Sequence, residues 1–229
     1  MVLTNDQIER YSRQIIAPGF SGAAQQRMLG ARVLLAADSD VAGSMLAYLV
    51  GAGVGTIDLM VEGDDAAFGL IVGRMRDLNS DVAVRTVDAP SARCDLALIV
   101  AATARMIERV TAFAALGHGL QACATIFVRL DRPAKIAVIA ARPPCLRCAD
   151  AGELLAPLGT PAEAIDFVAS VAAAEAIKLL AGYGAPPSPT IIEFRGYAAT
   201  ARPLTAAAPA TSTASTAACG CAAIAMRPA

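Results

Sequence analysis

The pattern of apolar positions between Ala31 and Met60 predicts the unit around which the chain is organised. Val33 to Ala36 form a short apolar run, as expected of a buried parallel strand. Apolar residues then recur at helical spacing from Val41 to Val50, which predicts a helix that packs back on the strand. Three closely spaced glycines, beginning with Gly51, end the helix, and Thr56 to Val61 is the next strand. This strand–helix–strand order is typical of the first half of a nucleotide-binding α/β unit.

The turn after the first predicted strand does not fit a phosphate site. A phosphate-binding turn needs glycines so that backbone N–H groups can approach the anion. The turn instead carries two carboxylates, those of Asp38 and Asp40. They suit the positive end of the helix dipole, but they repel a polyphosphate. Helix capping is the simpler interpretation of these aspartates, and a cation site is the alternative. The sequence therefore predicts a nucleotide-binding fold whose nucleotide site is dismantled. The turn consists of Ala37, Asp38, Ser39, Asp40, Val41 and Ala42.

The remaining pattern predicts an α/β fold, a Rossmann-like and mostly parallel sheet flanked by helices, with an antiparallel extension. A turn at Asp131-Arg132-Pro133 makes the extension a hairpin. The segment from Gly63 to Gly69 is predicted to be a loop. The other predicted helices are Thr4–Gln14 (with Thr4 as its cap), Ser21–Leu29, Ile71–Leu78, Thr103–Leu116 and Thr160–Ala181, and the other predicted strands are Val82–Val87, Asp95–Ala101, Cys123–Leu130, Lys135–Ala141 and Thr190–Phe194.

Composition divides the chain into a domain and a tail. Residues 1–202 form the domain, with a helical arm over 1–30. Residues 203–218 are Ala, Thr, Ser and Pro with one Leu, which predicts a flexible linker before a cysteine-containing tail over 219–229. Net charge is −1, from 19 basic and 20 acidic residues, so a nucleic-acid partner is not expected.

Neither a membrane span nor secretion is expected. The uncharged, mostly apolar run from Val110 to Val128 is interrupted by glycines and His118. The first residues are polar, without the pattern of a signal peptide. Six cysteines without such a signal fit a reducing cytosol, so the expected location is cytoplasmic.

Several motifs together resemble the ThiF/MoeB/HesA family, the bacterial relatives of ubiquitin-activating enzymes. The resemblance covers almost the whole chain in the family's order. It implies a Rossmann-like fold, usually a dimer, and a structural zinc. It also implies adenylation of the C-terminal glycine of a small ubiquitin-like protein, often before sulfur transfer. The motifs are Arg10–Ile16, Pro18–Phe20, Gln25–Gln26, Leu29–Leu34, Gly51–Ile57, Leu78–Val82, Cys145–Cys148 and Ala173–Gly182.

The departures from the family fall on its ATP chemistry. The family's G-x-G-G-x-G turn falls on residues 37–42 and keeps none of its glycines. The aspartate that binds ribose falls near Val61, and Glu62 comes one residue late. Gly63 to Gly73 is too short for the family's next ATP-binding segment, and no lysine precedes residue 126. The aspartate that orients magnesium has become Ala102. Magnesium needs oxygen ligands, so binding of ATP and magnesium is doubtful.

Two sets of candidate residues remain. By resemblance, Arg13 is an arginine that reaches across the dimer to the partner's ATP phosphates, and a plain surface arginine is the alternative. Cys145 and Cys148 are spaced for one zinc ion, and Cys219 and Cys221 could complete a four-sulfur site. A free or oxidisable thiol pair is the other interpretation of these cysteines.

Other polar residues are given structural roles. Cys94 and Cys123 border buried strands and are predicted core residues, with a thiol nucleophile as the alternative. The only histidine lies between two glycines and is predicted to be a turn residue. Arg129, Arg132 and Lys135 are predicted to form a solvated sheet edge.

The sequence leaves two functional hypotheses. The favoured one is a pseudoenzyme, a homodimer or one half of a heterodimer with an intact family member, that binds a ubiquitin-like protein, a sulfur carrier or a peptide. The alternative is an active ATP-dependent adenylyltransferase. The first hypothesis predicts that the chain does not adenylate on its own, and the second predicts that it does.

Overall fold

The structure of the protein is a computed structural model that describes residues 2–62, 65–88, 94–101, 103–106, 108–109, 123–139, 154, 156–184 and 189–204. Its centre is an eight-stranded sheet with strand order β3-β2-β1-β4-β5-β6-β7-β8. The strands are β1 Arg32–Asp38, β2 Thr56–Glu62, β3 Ala83–Thr86, β4 Leu96–Ala101, β5 Ala124–Arg129, β6 Ala134–Ile139, β7 Thr190–Arg195 and β8 Ala198–Pro203. In the described part of the chain, the helices include α1 Asn5–Arg10, α2 Ser12–Ile15, α3 Gly22–Gly30, α4 Ser39–Ala52, α5 Asp65–Leu78 and α6 Ile165–Ala181.

The sheet is parallel in one half and antiparallel in the other. Strands β3, β2, β1, β4 and β5 are parallel neighbours, and β6, β7 and β8 continue the sheet with antiparallel pairing. The β5–β6 hairpin turns at residues 130–133, as predicted. The α/β fold class with an antiparallel extension is therefore confirmed.

Alternate residues of β1 face two separate apolar layers. Val33, Leu35 and Ala37 pack in the layer that contains residues of α3, α4 and α6. Leu34 and Ala36 face the opposite layer, with side chains from β4, β5 and β7. Because both faces are covered, β1 is apolar throughout rather than alternating, which is the signal that identified it from sequence.

Helix α4 follows β1 directly and returns along the sheet. Met45, Leu46 and Leu49 are fully buried on its inner face. The helix ends at Gly53, whose φ of 85° lies in the left-handed region, where glycine carries no steric penalty. Gly51 lies inside the helix, so the prediction that it ends the helix was wrong.

The first half of the N-terminal arm forms two short helices where one was predicted. Thr4 and Gln7 make both hydrogen bonds of the expected capping box at the start of α1. The helix ends at Arg10 because Tyr11 turns inward, with 2 % of its surface exposed, and α2 begins after it. A single helix over Thr4–Gln14 is therefore wrong, although the cap is confirmed.

Three other boundaries differ from the prediction. The segment predicted as a loop from Gly63 to Gly69 is helical from Asp65, where α5 begins. Helix α6 begins at Ile165 rather than Thr160, because Pro161 instead forms an isolated antiparallel bridge to Asp131, two residues beyond β5. Strand β8 was not predicted, and the predicted linker loses its first residue to β8. Residues 205–229 lie outside the described part of the chain, as do Ala102 and most of the helix predicted over Thr103–Leu116.

Among the described helices, none has the length and apolar character needed to cross a bilayer.

Candidate functional site

The candidate site lies at the edge of the sheet where the parallel strands end. Strand β1 pairs with β2 on one side and with β4 on the other, so the order in which strands are added to the sheet reverses at β1. In doubly wound sheets, ligands bind in the crevice outside the carboxyl ends of the strands at this point. The register aligns Asp38 with Glu62, which places two acidic residues side by side at the crevice.

The Asp38 carboxylate is held from the other side of the crevice. Thr103, two residues beyond β4, donates its hydroxyl to Asp38 Oδ1 at 2.9 Å. The same hydroxyl accepts from the backbone N–H of Met106 at 3.3 Å. Asp38 occupies the N-cap position of α4 but makes no side-chain capping bond. Asp38 therefore occupies the predicted cap position, but its side chain does not make the predicted capping hydrogen bond.

The alanines of the turn are part of the core. Ala37 and Ala42 are both fully buried in the layer that contains α4 and α6. Their methyl groups therefore fill space inside the fold instead of leaving bare backbone for an anion, as glycine would. The side chains of Ser39 and Asp40, and the residue Ala102, lie outside the described part of the structure.

Glu62 is paired with two arginines that the sequence analysis did not single out. Arg109 Nη1 lies 2.8 Å from Glu62 Oε1, and Arg105 Nε lies 3.1 Å from Oε2. Arg109 also donates to the backbone carbonyl of Asp88 at 3.1 Å. The Glu62 side chain is 8 % exposed. Each carboxylate oxygen thus holds one guanidinium, in an arrangement that the four-residue spacing of the two arginines on one helical face could have suggested.

A cavity of about 580 Å³ lies beside Val61, between α5 and the ends of β2 and β3. Arg76 lines the cavity with a positive charge, and Asp88 lines it with an acidic group. Its remaining described lining residues are Val61, Gly69, Val72, Gly73, Thr86 and Val87. The cavity has the volume typical of small-molecule sites.

Arg13 lies at the opposite edge of the sheet from the crevice. It is exposed on α2, and its side chain makes no ion pair with any residue that the structure describes. The next residue, Gln14, donates to the carbonyl of Ala52 at 3.1 Å, at the far end of α4 from Asp38. A helix of 14 residues is about 21 Å long. Arg13 therefore cannot reach the crevice of its own chain.

The tyrosine of the same motif anchors the arm. Tyr11 Oη donates to Asp81 Oδ2 at 3.0 Å and accepts from Asn79 Nδ2 at 2.9 Å. Burial raises the pKa of Tyr11, which reaches about 12. The hydrogen bond from Asn79 opposes this rise, and the Asp81 carboxylate reinforces it. Arg10 pairs with Asp81 at 3.3 Å. The motif thus joins the arm to the segment before β3.

The prediction of a solvated edge at Arg129, Arg132 and Lys135 is wrong for Arg129. Its side chain is 3 % exposed and lies against Asp131, to which Nε donates at 3.0 Å. It also donates to backbone carbonyl oxygens between residues 154 and 157. Burial tends to raise the pKa of Asp131, but the hydrogen bonds from Arg129 and from the Gly159 N–H, together with the Arg129 charge, outweigh burial and lower the pKa. Arg129 therefore fastens the backbone of Leu154, Ala156 and Pro157 to the end of β5.

The predicted zinc ligands Cys145, Cys148, Cys219 and Cys221 all lie outside the described residues, as does His118. Within the described ranges, no cluster of three or more His, Cys, Asp or Glu side chains could hold a metal ion. Zinc at the four cysteines stays a prediction.

No protein-family model matches the chain. Among curated proteins, it is 29 % identical to a molybdopterin-synthase adenylyltransferase of Salmonella typhimurium over 226 residues, covering 84 % of this chain and 90 % of that protein. It is 35 % identical over 103 residues to the vegetative HesA protein of Trichormus variabilis, covering 37 % of this chain and 39 % of that protein.

Solved structures with the same fold include Escherichia coli MccB with ATP. That match has a TM-score of 0.67 at 15 % identity and covers 90 % of this chain and 74 % of MccB. A crystal structure of PaaA matches with a TM-score of 0.62 at 14 % identity, covering 89 % of this chain and 75 % of PaaA. At these identities the structural matches establish the shared fold.

Proposed function

Because the chain belongs to the ThiF/MoeB/HesA family, we propose that it is a partner subunit that does not adenylate by itself. It acts in the cytoplasm in the activation of a sulfur-carrier protein, another ubiquitin-like protein or a peptide. It does so as a homodimer or as a heterodimer with an intact family member. The Salmonella relative is by name an adenylyltransferase, and MccB has been crystallised with ATP and with MccA. The reaction in which the subunit takes part is therefore ATP-dependent adenylation.

The observation that carries this proposal is the Asp38 carboxylate at the start of α4. It lies at the helix end that would receive a phosphate, and it is hydrogen-bonded to Thr103 across the crevice. Two like charges 4 Å apart repel by about 4 kcal/mol at an effective dielectric constant of 20. A penalty of that size weakens binding about a thousandfold. A polyphosphate would therefore bind poorly in this crevice.

Glu62 supports the same conclusion. Its two oxygens are engaged by Arg105 and Arg109, and its side chain is nearly buried. A ribose bound at the end of β2 would have to compete with two guanidinium groups for the same carboxylate. Hydrogen bonds to charged partners are about twice as strong as neutral ones, so the arginines would win that competition.

The second candidate function is an active ATP-dependent adenylyltransferase. The cavity beside β2 and β3 favours it, because about 580 Å³ is enough for a small ligand and Arg76 supplies a positive charge. In this alternative, a nucleotide enters from the β3 side and avoids the Asp38 carboxylate. The two candidates differ in a direct way, because only the second predicts turnover by this chain alone.

Arg13 would act on the partner. It is exposed near the end of α4 that lies away from the crevice, about 21 Å along the helix from Asp38. An arginine side chain is far shorter than this distance, so the nucleotide that it contacts must belong to another subunit. A guanidinium that meets phosphate charge as it develops accelerates such reactions.

The first test is ATP–pyrophosphate exchange by the purified chain, with sulfur-carrier proteins and peptides offered as substrates. We expect no exchange above background, while an intact family member assayed in parallel exchanges. Exchange by the chain alone would select the adenylyltransferase instead. Arg76→Ala, which removes an exposed cationic side chain from the lining of the cavity between α5 and the ends of β2 and β3, then serves as the control that assigns the activity to that cavity.

The second test mixes the chain with an intact family member from the same organism. We expect Arg13→Ala to slow adenylation at least about tenfold relative to the unaltered chain. The matched control is Arg195→Ala, which removes an exposed arginine paired with Glu193 on the β7–β8 hairpin and should leave the rate unchanged. Equal rates with Arg13→Ala, or a chain that remains monomeric by light scattering and captures no relative, would contradict the proposed role.

A further inference from the structure

Two cysteines far apart in sequence meet at the edge of the sheet opposite the crevice. Cys94 lies two residues before β4, and Cys123 lies directly before β5. These strands are parallel neighbours, with Leu96 aligned to Ala124. The two sulfur atoms lie 3.1 Å apart and share a thiol–thiol hydrogen bond. The prediction that both are simply core residues did not anticipate this contact.

The two thiols differ in access and acidity. Cys123 is 4 % exposed, whereas Cys94 is half-buried and accessible to small molecules. Hydrogen bonding by Cys123 lowers the pKa of Cys94, against the opposing effects of burial and of the nearby Asp95 and Asp58 carboxylates. The same hydrogen bond and burial raise the pKa of Cys123. Cys94 is therefore the thiol that ionises first and attacks, and Cys123 is the thiol beside it that resolves.

We propose that Cys94 and Cys123 form a thiol oxidation site that reacts with hydroperoxides and closes into an intrachain disulfide between β4 and β5. This site is separate from the carboxyl-edge crevice and does not depend on the proposed function. The register of β4 and β5 offsets Cys94 from Cys123 by one residue along the strands. A spacing of about 4.8 Å between strands and a rise of about 3.3 Å along them give a Cα separation of about 5.8 Å, which a disulfide spans. The strands therefore need little movement for the bond to form.

The reaction balances in two steps. The Cys94 thiolate attacks hydrogen peroxide, an S–O bond forms as the O–O bond breaks, and the leaving hydroxide becomes water with the proton that the Cys94 thiol released on ionising. The Cys123 sulfur then attacks the Cys94 sulfenic acid. The S–S bond forms as the S–O bond breaks, and the leaving hydroxide departs as water with the Cys123 proton. Two thiols are oxidised and one peroxide is reduced to two waters.

The disulfide would close a covalent loop of residues 94–123, which contains β4 and the connection from β4 to β5. Thr103, Arg105 and Arg109, which hold the two acidic residues at the crevice, all lie in this loop. Closing a loop restricts the unfolded chain more than the folded one. The oxidised protein should therefore melt at a higher temperature than the reduced protein.

The test uses the full chain with its other four cysteines replaced by serine, treated with a small excess of hydrogen peroxide. We expect the intact mass to fall by two hydrogen atoms and a peptide map to join Cys94 to Cys123. Dithiothreitol should reverse both changes, and the melting temperature should rise by several degrees on oxidation. The same peptide map on the unaltered chain gives the answer if the four-serine variant does not fold.

Single variants in the same background assign the roles. With Cys123→Ser, a sulfenic-acid reagent should trap Cys94, and with Cys94→Ser the remaining thiol should stay unmodified at the same peroxide dose. The proposal is overturned if both thiols still react with an alkylating agent after peroxide treatment. It is equally overturned if Cys94 proceeds to sulfinic acid at the same rate whether or not Cys123 is present.

Discussion

Replacing Thr103 with valine tests the bond that crosses the crevice between β1 and β4. Valine keeps the shape of threonine and removes the hydroxyl that donates to Asp38 Oδ1 at 2.9 Å. Asp38 is 9 % exposed, so water can replace the lost donor only in part. A hydrogen bond to a charged group contributes about 1.5–3 kcal/mol. We expect Thr103→Val to lower the free energy of unfolding by about 2 kcal/mol.

A double-mutant cycle separates this bond from other effects of the substitutions. Urea unfolding is measured for Thr103→Val, Asp38→Ala and the double variant. Because Asp38→Ala also removes a favourable charge at the start of α4, only the coupling energy reports the bond. We expect a coupling energy between about 1 and 3 kcal/mol. The control is Ser170→Ala, which removes an exposed hydroxyl that donates within α6 and should change stability by at most about 0.5 kcal/mol.

The result that would refute the reasoning is a coupling energy near zero, with Thr103→Val no more destabilising than Ser170→Ala. The Asp38 carboxylate would then not be held across the crevice in solution, and it could turn away from an incoming phosphate. That outcome would remove the main support for a crevice closed to ATP.

Three further predictions concern other parts of the molecule. Burial raises the folded-state pKa of Tyr11 from 10.0 to about 12, so its contribution to stability is complete below pH 10.0 and is lost as the pH rises towards about 12. Tyr11→Phe should abolish this part of the alkaline unfolding profile. An unchanged profile would contradict the prediction. Gly55→Ala should prevent folding, because an added Cβ would lie 1.8 Å from a backbone carbonyl oxygen of α3. In the control variant Gly51→Ala, the added Cβ meets no atom within 4 Å. This control should stabilise α4 by about 0.5–1 kcal/mol in thermal unfolding. Metal analysis of protein purified without chelator should find about one zinc per chain, lost when Cys145 and Cys148 are both replaced by serine, and a metal-free chain that binds no zinc at neutral pH would contradict the site.

Much of the fold follows from local sequence alone. The strand β1 is recognisable because residues buried on both faces form one continuous apolar run, and α4 is recognisable because its apolar residues share one face. Gly53 marks the helix end because its left-handed backbone suits glycine. The Thr4 cap and the β5–β6 hairpin likewise depend on residues within a few positions of each other. Local steric and hydrogen-bonding preferences are sufficient for such elements.

The site was decided by contacts between residues far apart in sequence. The sequence showed that the junction between β1 and α4 lacks glycines and carries Asp38. It did not show that Thr103 holds that carboxylate, because the two residues are 65 positions apart and meet only once β4 lies beside β1. The pairing of Glu62 with Arg109, across 47 positions, and the meeting of Cys94 with Cys123 have the same origin.

Arg129 and β8 show the two ways in which tertiary structure overrides a local pattern. A charged residue at a hairpin is normally solvated, but Arg129 is buried because Asp131 and several carbonyl groups satisfy its donors. The segment Ala198–Pro203 has little intrinsic strand preference, and it becomes β8 because the edge of β7 offers it backbone partners. The sequence by itself determined which segments fold and where their apolar faces lie. Only the assembled sheet decided which polar side chains meet, because those meetings depend on strand order and register rather than on neighbouring residues.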